Sequence, residues 1–172
     1  KNIRVEDGFF VFDYQNGDRT IEGIKFTLPG KHNVENATVA ISVALELGAT
    51  DEAIKGALLS FKGIKRRFEF IVRKEEKVFI DDYAHHPSEL KAAISAARML
   101  YPDKKLTGIF QPHLYSRTQD FVDGFAAALD GLDEIYLLPI YPARELPIEG
   151  VTSKLIFDKM KKSNKYLAPY TE

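Results

Sequence analysis

The sequence predicts an α/β protein in two parts, of which the first has antiparallel β structure and paired helices and the second has a parallel sheet. Before residue 65, two apolar β-type runs are followed by two stretches with helical periodicity. After residue 65, short apolar runs alternate with amphipathic helical patterns. Strands that alternate with helices in this way are typical of a parallel sheet with right-handed crossovers.

Composition and charge exclude several classes of protein. The 172 residues include no cysteine, which excludes disulfides and thiolate chemistry. The net charge is −1 with both signs interspersed, so the chain has no basic field for nucleic acid. No apolar run approaches the ~20 residues of a membrane span, and no signal-peptide pattern opens the chain. We expect a cytoplasmic protein without membrane or nucleic-acid partners. Because the sequence starts at Lys1 without methionine, we also expect a fragment.

The first element predicted is a β-hairpin. Apolar runs at residues 9–12 and 20–26 flank an Asn16-Gly17 pair, which is a strong hairpin signal. The loop is expected to be longer than two residues. Alternating apolar residues in the second run predict an antiparallel strand with one exposed face.

Two helices then form a predicted αα-hairpin. Breaker residues at 28–33 precede the first helix, for which Asn33 is the predicted N-cap and Gly48 the predicted end. A second helix is predicted after Thr50, with acidic residues in its first turn where the helix dipole favours them.

A basic, aperiodic stretch at residues 62–69 predicts the domain boundary, which we place between residues 64 and 65. Beyond it, Ser116 is expected to open a capping box at the start of a helix. The predicted strands are 78–82, 106–111 and 134–140, and the predicted helices are 87–99, 117–129 and 153–161.

Polar side chains follow each predicted strand of the second part, in the segments 81–86, 111–117 and 141–145. Ligands of open α/β sheets bind beyond the carboxyl ends of the strands, so we expect these segments to form one ligand site. A carboxylate such as Asp82 could bind ribose hydroxyls, and arginine could bind carboxylate or phosphate. The alternative is that Asp82 and Ser116 only cap helices, and that His85 and His113 are satisfied polar residues.

Several common chemistries lack their sequence patterns. Neither cysteine nor a histidine pair at i,i+4 supports a metal site within the chain, although three of the four histidines follow predicted strands. No Gly-x-Ser-x-Gly elbow marks a nucleophile, and no phosphate loop or Gly-x-Gly-x-x-Gly motif occurs. Arg67 is either part of a solvated basic linker or a phosphate contact in a cleft.

Four motifs together resemble the Mur ligases, and in particular the members that add alanine. They occur in the family's order between about residues 28 and 153, which makes the resemblance specific. The motifs are Gly30-Lys31-His32-Asn33-Val34-Glu35-Asn36-Ala37, Arg66-Arg67-Phe68-Glu69, Asp81-Asp82-Tyr83-Ala84-His85-His86-Pro87-Ser88-Glu89 and Phe110-Gln111-Pro112-His113-Leu114-Tyr115-Ser116-Arg117-Thr118.

The resemblance implies a fold and an activity. Residues 1–64 would be the end of a central ATPase domain, and residues 65–172 a Rossmann-like C-terminal domain that is incomplete at its end. The phosphate loop would lie upstream. The implied reaction is ATP-dependent ligation of L-alanine to UDP-N-acetylmuramate through an acyl phosphate, in peptidoglycan synthesis, with Mg²⁺ on the phosphates. A fragment of this extent is expected to be inactive alone.

The resemblance also implies roles for individual residues. Asn33 and Asn36 would contact adenine, Arg67 the phosphates and Asp82 the ribose. The amino-acid pocket would contain Tyr83, His85, His113 and Arg117, with Arg117 suited to the carboxylate.

Two alternatives remain open at this point. Tyr83 and Glu89 favour the alanine-adding members over a sister ligase that recycles muropeptides, but many relatives carry arginine where this chain has Leu114. The second alternative is a non-catalytic nucleotide-binding or interaction module.

Overall fold

The structure, a computed structural model, describes residues 1–169; the predicted incomplete end of the second domain, at Glu172, lies outside them. The chain divides into two compact units. The first contains Lys1–Tyr83 and Met99–Pro102, and the second contains Ala84–Arg98 and the described residues from Asp103 onward. The boundary between residues 64 and 65 stays a prediction.

The first unit begins with a three-stranded antiparallel sheet of β1 (Arg4–Glu6), β2 (Phe9–Asn16) and β3 (Arg19–Phe26). Asn16 pairs with Arg19, so the loop has only two residues and the expectation of a longer loop is wrong. Gly17 allows this short loop because it adopts a φ of 56°, which a glycine reaches without strain.

Helices α1 (Lys31–Glu46) and α2 (Asp51–Ser60) complete the predicted αα-hairpin. Gly30 is the N-cap of α1, so the assignment of Asn33 to that position is wrong: Asn33 lies in the first turn, and its amide donates to the Pro29 carbonyl at 2.7 Å. Helix α2 starts after Thr50, as predicted, and Thr50 caps it by accepting from the Ala53 N–H. The core of this unit lies between the sheet and the helices and includes Phe10, Phe12, Ile21, Ile24 and Ile41.

A second antiparallel pair follows, made of β4 (Glu69–Arg73) and β5 (Val78–Asp81). The prediction that residues 78–82 join the parallel sheet is therefore wrong, and β4 was not predicted. The connection of residues 74–77 is short enough for a hairpin, with the Lys74 N–H donating to the Lys77 carbonyl. The side chain of Phe79 is 56% exposed, as expected for an antiparallel strand with one open face.

The second unit has a three-stranded parallel sheet with the strand order β6-β7-β8. The predicted helix 117–129 is divided at Phe121. The predicted strand 134–140 is shorter, because β7 ends at Leu137, two residues before Pro139, which has no N–H to donate to a ladder. The elements, in order, are α3 (Pro87–Leu100), β6 (Thr107–Phe110), α4 (Tyr115–Asp120), α5 (Val122–Leu129), β7 (Glu134–Leu137), α6 (Ser153–Lys159) and β8 (Lys165–Leu167).

One face of the parallel sheet forms the core of the second unit. Ile135 and Leu137 of β7 are fully buried together with Phe125 of α5 and Ile156 of α6. Gly108 of β6 lies close to this core: a β-carbon there would be 2.4 Å from Leu132 Cδ1 and 3.2 Å from Ile135 Cδ1. In the described part of the chain, no helix combines the length and hydrophobicity of a membrane span.

Candidate functional site

The loops after β6 and β7 are joined by backbone hydrogen bonds. The Tyr141 N–H donates to the Pro112 carbonyl at 2.8 Å, and the Leu114 N–H donates to the Tyr141 carbonyl at 3.0 Å. His113 and Tyr141 form a parallel β-bridge, and their rings stack with centroids 5.4 Å apart. Parallel pairing therefore resumes beyond the ends of the strands, and it fixes the position of His113.

A carboxylate from the second loop holds the first turn of α4. Glu145 accepts the Ser116 N–H at 3.0 Å and the Ser116 hydroxyl at 2.5 Å. The predicted capping box at Ser116 is wrong, because α4 begins at Tyr115 with Leu114 as its N-cap. Leu114 has a φ of 73° and no capping side chain, so Glu145 takes that role from a distant position in sequence.

The imidazole of His113 lies among charged side chains. Burial is the largest cause that lowers the pKa of His113, and electrostatic interactions with Arg117, His85 and Arg144 lower it further. Glu145 opposes this shift. The Nδ1 atom of His113 is buried and has no hydrogen-bond partner among the described residues. We call these five residues the His113 cluster.

Arg117 is half-buried in this cluster. Its guanidinium makes no hydrogen bond and no close ion pair with any described residue. Arginine presents its donors in a planar fork that matches a carboxylate, and desolvation makes an unpaired charge unfavourable. The arrangement is therefore suited to a carboxylate ligand.

His85 enters the cluster from the segment before α3. Glu89 accepts from the backbone N–H groups of His85 and His86, and its carboxylate lies 3.2 Å from His85 Nδ1. His86 Nδ1 accepts from the Ser88 N–H at 3.3 Å and contacts its hydroxyl at 2.7 Å. Glu89 three positions into a helix is the acidic half of a capping box, a local signal that could have been found in the sequence.

The first unit brings together three other predicted site residues. Asp82 accepts the Phe68 N–H at 2.9 Å, and the Tyr83 N–H donates to the Arg66 carbonyl at 2.6 Å. The Arg66 guanidinium lies 4.7 Å from the centroid of the Tyr83 ring. Arg67 is exposed between these anchors.

The backbone around Arg67 is unusual. Arg66 and Phe68 adopt φ values of 59° and 50°, in the left-handed region that non-glycine residues rarely occupy. The Phe68 ring is buried, which fixes one side of the turn. Strained conformations of this kind are frequent at functional sites, and the residue between the two left-handed positions, Arg67, is exposed.

Asn33 and Asn36 lie on a different element, in the first two turns of α1. Asn36 is exposed, and Asn33 is half-buried with its amide bound to Pro29.

The expected convergence of three polar segments is therefore only partly present within one unit. Segments 111–117 and 141–145 are joined directly, and His85 lies near enough to affect His113. Asp82 and Tyr83 belong to the first unit. Arg144 and Glu145 were expected in the cluster only as part of their segment, and sequence reasoning gave neither a role. No group of three or more potential metal ligands occurs among the described residues.

The Glu145 carboxylate predicts a pH-dependent stability. Hydrogen bonds from the Ser116 hydroxyl and N–H lower the pKa of Glu145. A carboxylate with a lowered pKa stabilises the fold above its unfolded pKa of about 4.3, and this contribution disappears as the pH falls through the lower folded value. The stability advantage of the wild type over Glu145→Gln is therefore expected to shrink between pH 7 and pH 3.

Denaturant unfolding of both variants at several pH values measures this difference. Glu149→Gln is the matched control, because Glu149 is exposed in the following loop and makes no hydrogen bond or close ion pair with a described residue. A wild-type advantage that is the same at pH 7 and pH 3 would contradict the prediction.

Comparison with known proteins identifies relatives of the chain. The family described as Mur ligase, glutamate ligase domain, matches residues 66–171. UDP-N-acetylmuramate–L-alanine ligase of Flavobacterium psychrophilum is 52% identical over 171 residues, covering 99% of this chain and 38% of that protein. The same enzyme of Porphyromonas gingivalis is 51% identical over 168 residues, covering 96% of this chain and 36% of its own length. The chain thus spans well under half of these relatives.

Solved structures share the fold. UDP-N-acetylmuramate–alanine ligase of Thermotoga maritima matches with a TM-score of 0.73 and 31% identity, over 90% of this chain and 33% of that chain. Folylpolyglutamate synthase of Mycobacterium tuberculosis, complexed with ADP, matches with a TM-score of 0.74 and 20% identity, over 97% of this chain and 36% of its own. The second likeness concerns the fold alone. The match over residues 66–171 covers more than half of the chain, which therefore belongs to the Mur ligase family.

Proposed function

We propose that this chain is part of an ATP-dependent ligase that joins L-alanine to UDP-N-acetylmuramate in peptidoglycan synthesis, in the cytoplasm. The observation that carries the proposal is the half-buried, unpaired guanidinium of Arg117 beside His113, which suits the carboxylate of an amino acid. The relatives at 50–52% identity bear the name of this enzyme, which supports the choice of substrates.

In the proposed reaction, the γ-phosphoryl group of ATP is transferred to the carboxylate of UDP-N-acetylmuramate, and ADP is released. The amine of L-alanine then attacks the acyl phosphate, so that the amide bond forms and phosphate leaves. His85, His113 and Arg117 would orient the amino acid, together with Tyr83. Because burial lowers the pKa of His113, its neutral form is favoured, and that form could accept or donate a hydrogen bond without adding a positive charge beside Arg117.

We further propose that Arg67 binds the ATP phosphates, Asp82 the ribose, and Asn33 and Asn36 the adenine. The exposed guanidinium of Arg67, presented by a turn with two left-handed residues, fits such a role. The described residues offer no cluster of ligands for Mg²⁺, so this ion would be held by the nucleotide and by residues outside the chain. No step of the proposal depends on it.

The test is a chimera in which this chain replaces the matching segment of the Flavobacterium psychrophilum ligase. We expect phosphate release that depends on L-alanine, UDP-N-acetylmuramate and ATP together. The unmodified relative is the positive control, and circular dichroism checks that the chimera folds.

Three results would contradict the proposal. A folded chimera without turnover would reject the ligase assignment. Turnover with a muropeptide in place of alanine would favour the recycling ligase, and nucleotide binding without ligation would favour a non-catalytic module.

A further inference from the structure

We propose that Arg144 is a second arginine of the amino-acid site and, together with Arg117, binds the carboxylate of the incoming amino acid. The inference rests on the proposed ligase function. It gives the loop after β7 a binding role in addition to its structural one.

The position of Arg144 follows from two anchors on either side of it. Tyr141 is bridged to His113 and stacked on its ring. Glu145 binds both the N–H and the hydroxyl of Ser116, the residue before Arg117. Only three residues separate the anchors, and consecutive α-carbons are about 3.8 Å apart, so the loop cannot move far from the segment 113–117.

The loop is also closed internally. The Glu145 N–H donates to the Pro142 carbonyl at 2.9 Å, and Ala143 adopts a φ of 52°. This turn contains Arg144, which is exposed.

The two arginines near His113 are not bonded to a carboxylate of the described residues. Neither Arg117 nor Arg144 makes a hydrogen bond or a close ion pair with a described residue. The one carboxylate of the cluster, Glu145, has both oxygens engaged by Ser116. Both arginines act electrostatically on His113, so an anion bound beside that imidazole would be attracted by both. Each can bind a carboxylate through two N–H groups.

Within segment 111–117, Arg117 is the one side chain with a permanent positive charge. Arg144 would supply the second positive charge from the other loop.

Kinetics of the chimera test the proposal. Arg144→Gln is expected to raise the KM for L-alanine about tenfold, the effect of losing one hydrogen-bonded charge, with kcat and the KM for ATP little changed. Arg144→Lys should recover part of the lost affinity for L-alanine, because lysine restores the positive charge but not the planar pair of N–H donors. Lys161→Gln is the matched control, since Lys161 is exposed in the same unit and its side chain makes no hydrogen bond or close ion pair with a described residue.

A second readout does not depend on turnover. In the chain itself, Arg144→Gln removes a nearby positive charge and should raise the pKa of His113, followed by NMR of the imidazole. The inference would be overturned if Arg144→Gln left the pKa of His113 unchanged, or if its KM for L-alanine equalled that of Lys161→Gln. A chimera in which Arg144 affects inhibition by inorganic phosphate, but not the binding of L-alanine, would also overturn it.

The two proposals fail differently. An inactive but folded wild-type chimera rejects the ligase function. An active chimera with no effect of Arg144→Gln rejects only the role of Arg144.

Discussion

Replacing Ile135 by alanine is expected to lower the free energy of unfolding of the second unit by about 2–5 kcal/mol, the usual cost of a large-to-small change in a packed core. Ile135 is fully buried in the central strand of the parallel sheet, in the same core as Phe125 and Ile156. Gly108 of the next strand approaches its Cδ1 closely, so the space left by the removed atoms is enclosed on the sheet side as well.

Ile109 provides a control of the same residue type in the same sheet. It lies on the neighbouring strand, paired with Tyr136, and its side chain is 73% exposed. Ile109→Ala is expected to cost less than about 1 kcal/mol, within the range of β-propensity effects. The measurement is urea unfolding followed by NMR signals of β6, β7 and β8, because two units need not unfold together. Equal losses in the two variants would contradict the assignment of the core.

Arg67→Ala and Asp82→Ala in the chimera are expected to raise the KM for ATP about 10–100-fold, because each change removes a proposed hydrogen bond to a charged or polar group of the nucleotide. The two variants differ in their structural cost. Arg67 is exposed, whereas Asp82 also accepts the Phe68 N–H and so supports the turn that presents Arg67.

Asp82→Asn separates the two roles of Asp82. Its amide oxygen can still accept from Phe68, so the turn should persist while the charge is lost. Lys65→Ala is the control for a nearby positive charge, since Lys65 is exposed and makes no hydrogen bond or close ion pair with a described residue. An unchanged KM for ATP in Arg67→Ala and Asp82→Ala, with both proteins folded, would count against the proposed nucleotide contacts.

Local periodicity predicted the elements that depend on local sequence. The αα-hairpin, with a second helix after Thr50 and Gly48 after the first helix, is present as expected, as is the alternation of helices and strands from residue 87 onward. These features follow from side-chain spacing and from the conformational preferences of individual residues.

The errors concern interactions between residues distant in sequence. The apolar run at 78–82 was predicted to join the parallel sheet. The strand observed there, 78–81, instead pairs with the neighbouring strand 69–73. The sequence of one strand does not show which strand it pairs with. The cap of α4 comes from Glu145, 29 residues from Ser116, so no local motif shows it. His113 and Arg117 were assigned to the site from the family resemblance and from the segment that contains them, whereas the role proposed for Arg144 depends on how the two loops meet.

The close approach of Gly108 to the core has a consequence for the site. Strand β6 runs from Thr107 to Phe110 and continues through Pro112 to His113, so a shift at its start is transmitted along the chain. A methyl group at Gly108 would clash with Leu132 Cδ1, and either the Leu132 side chain or the strand would have to move. The imidazole is five residues away, about 16 Å along an extended chain. Gly108 thus leaves room for Leu132 in the core beneath the strand that leads to His113.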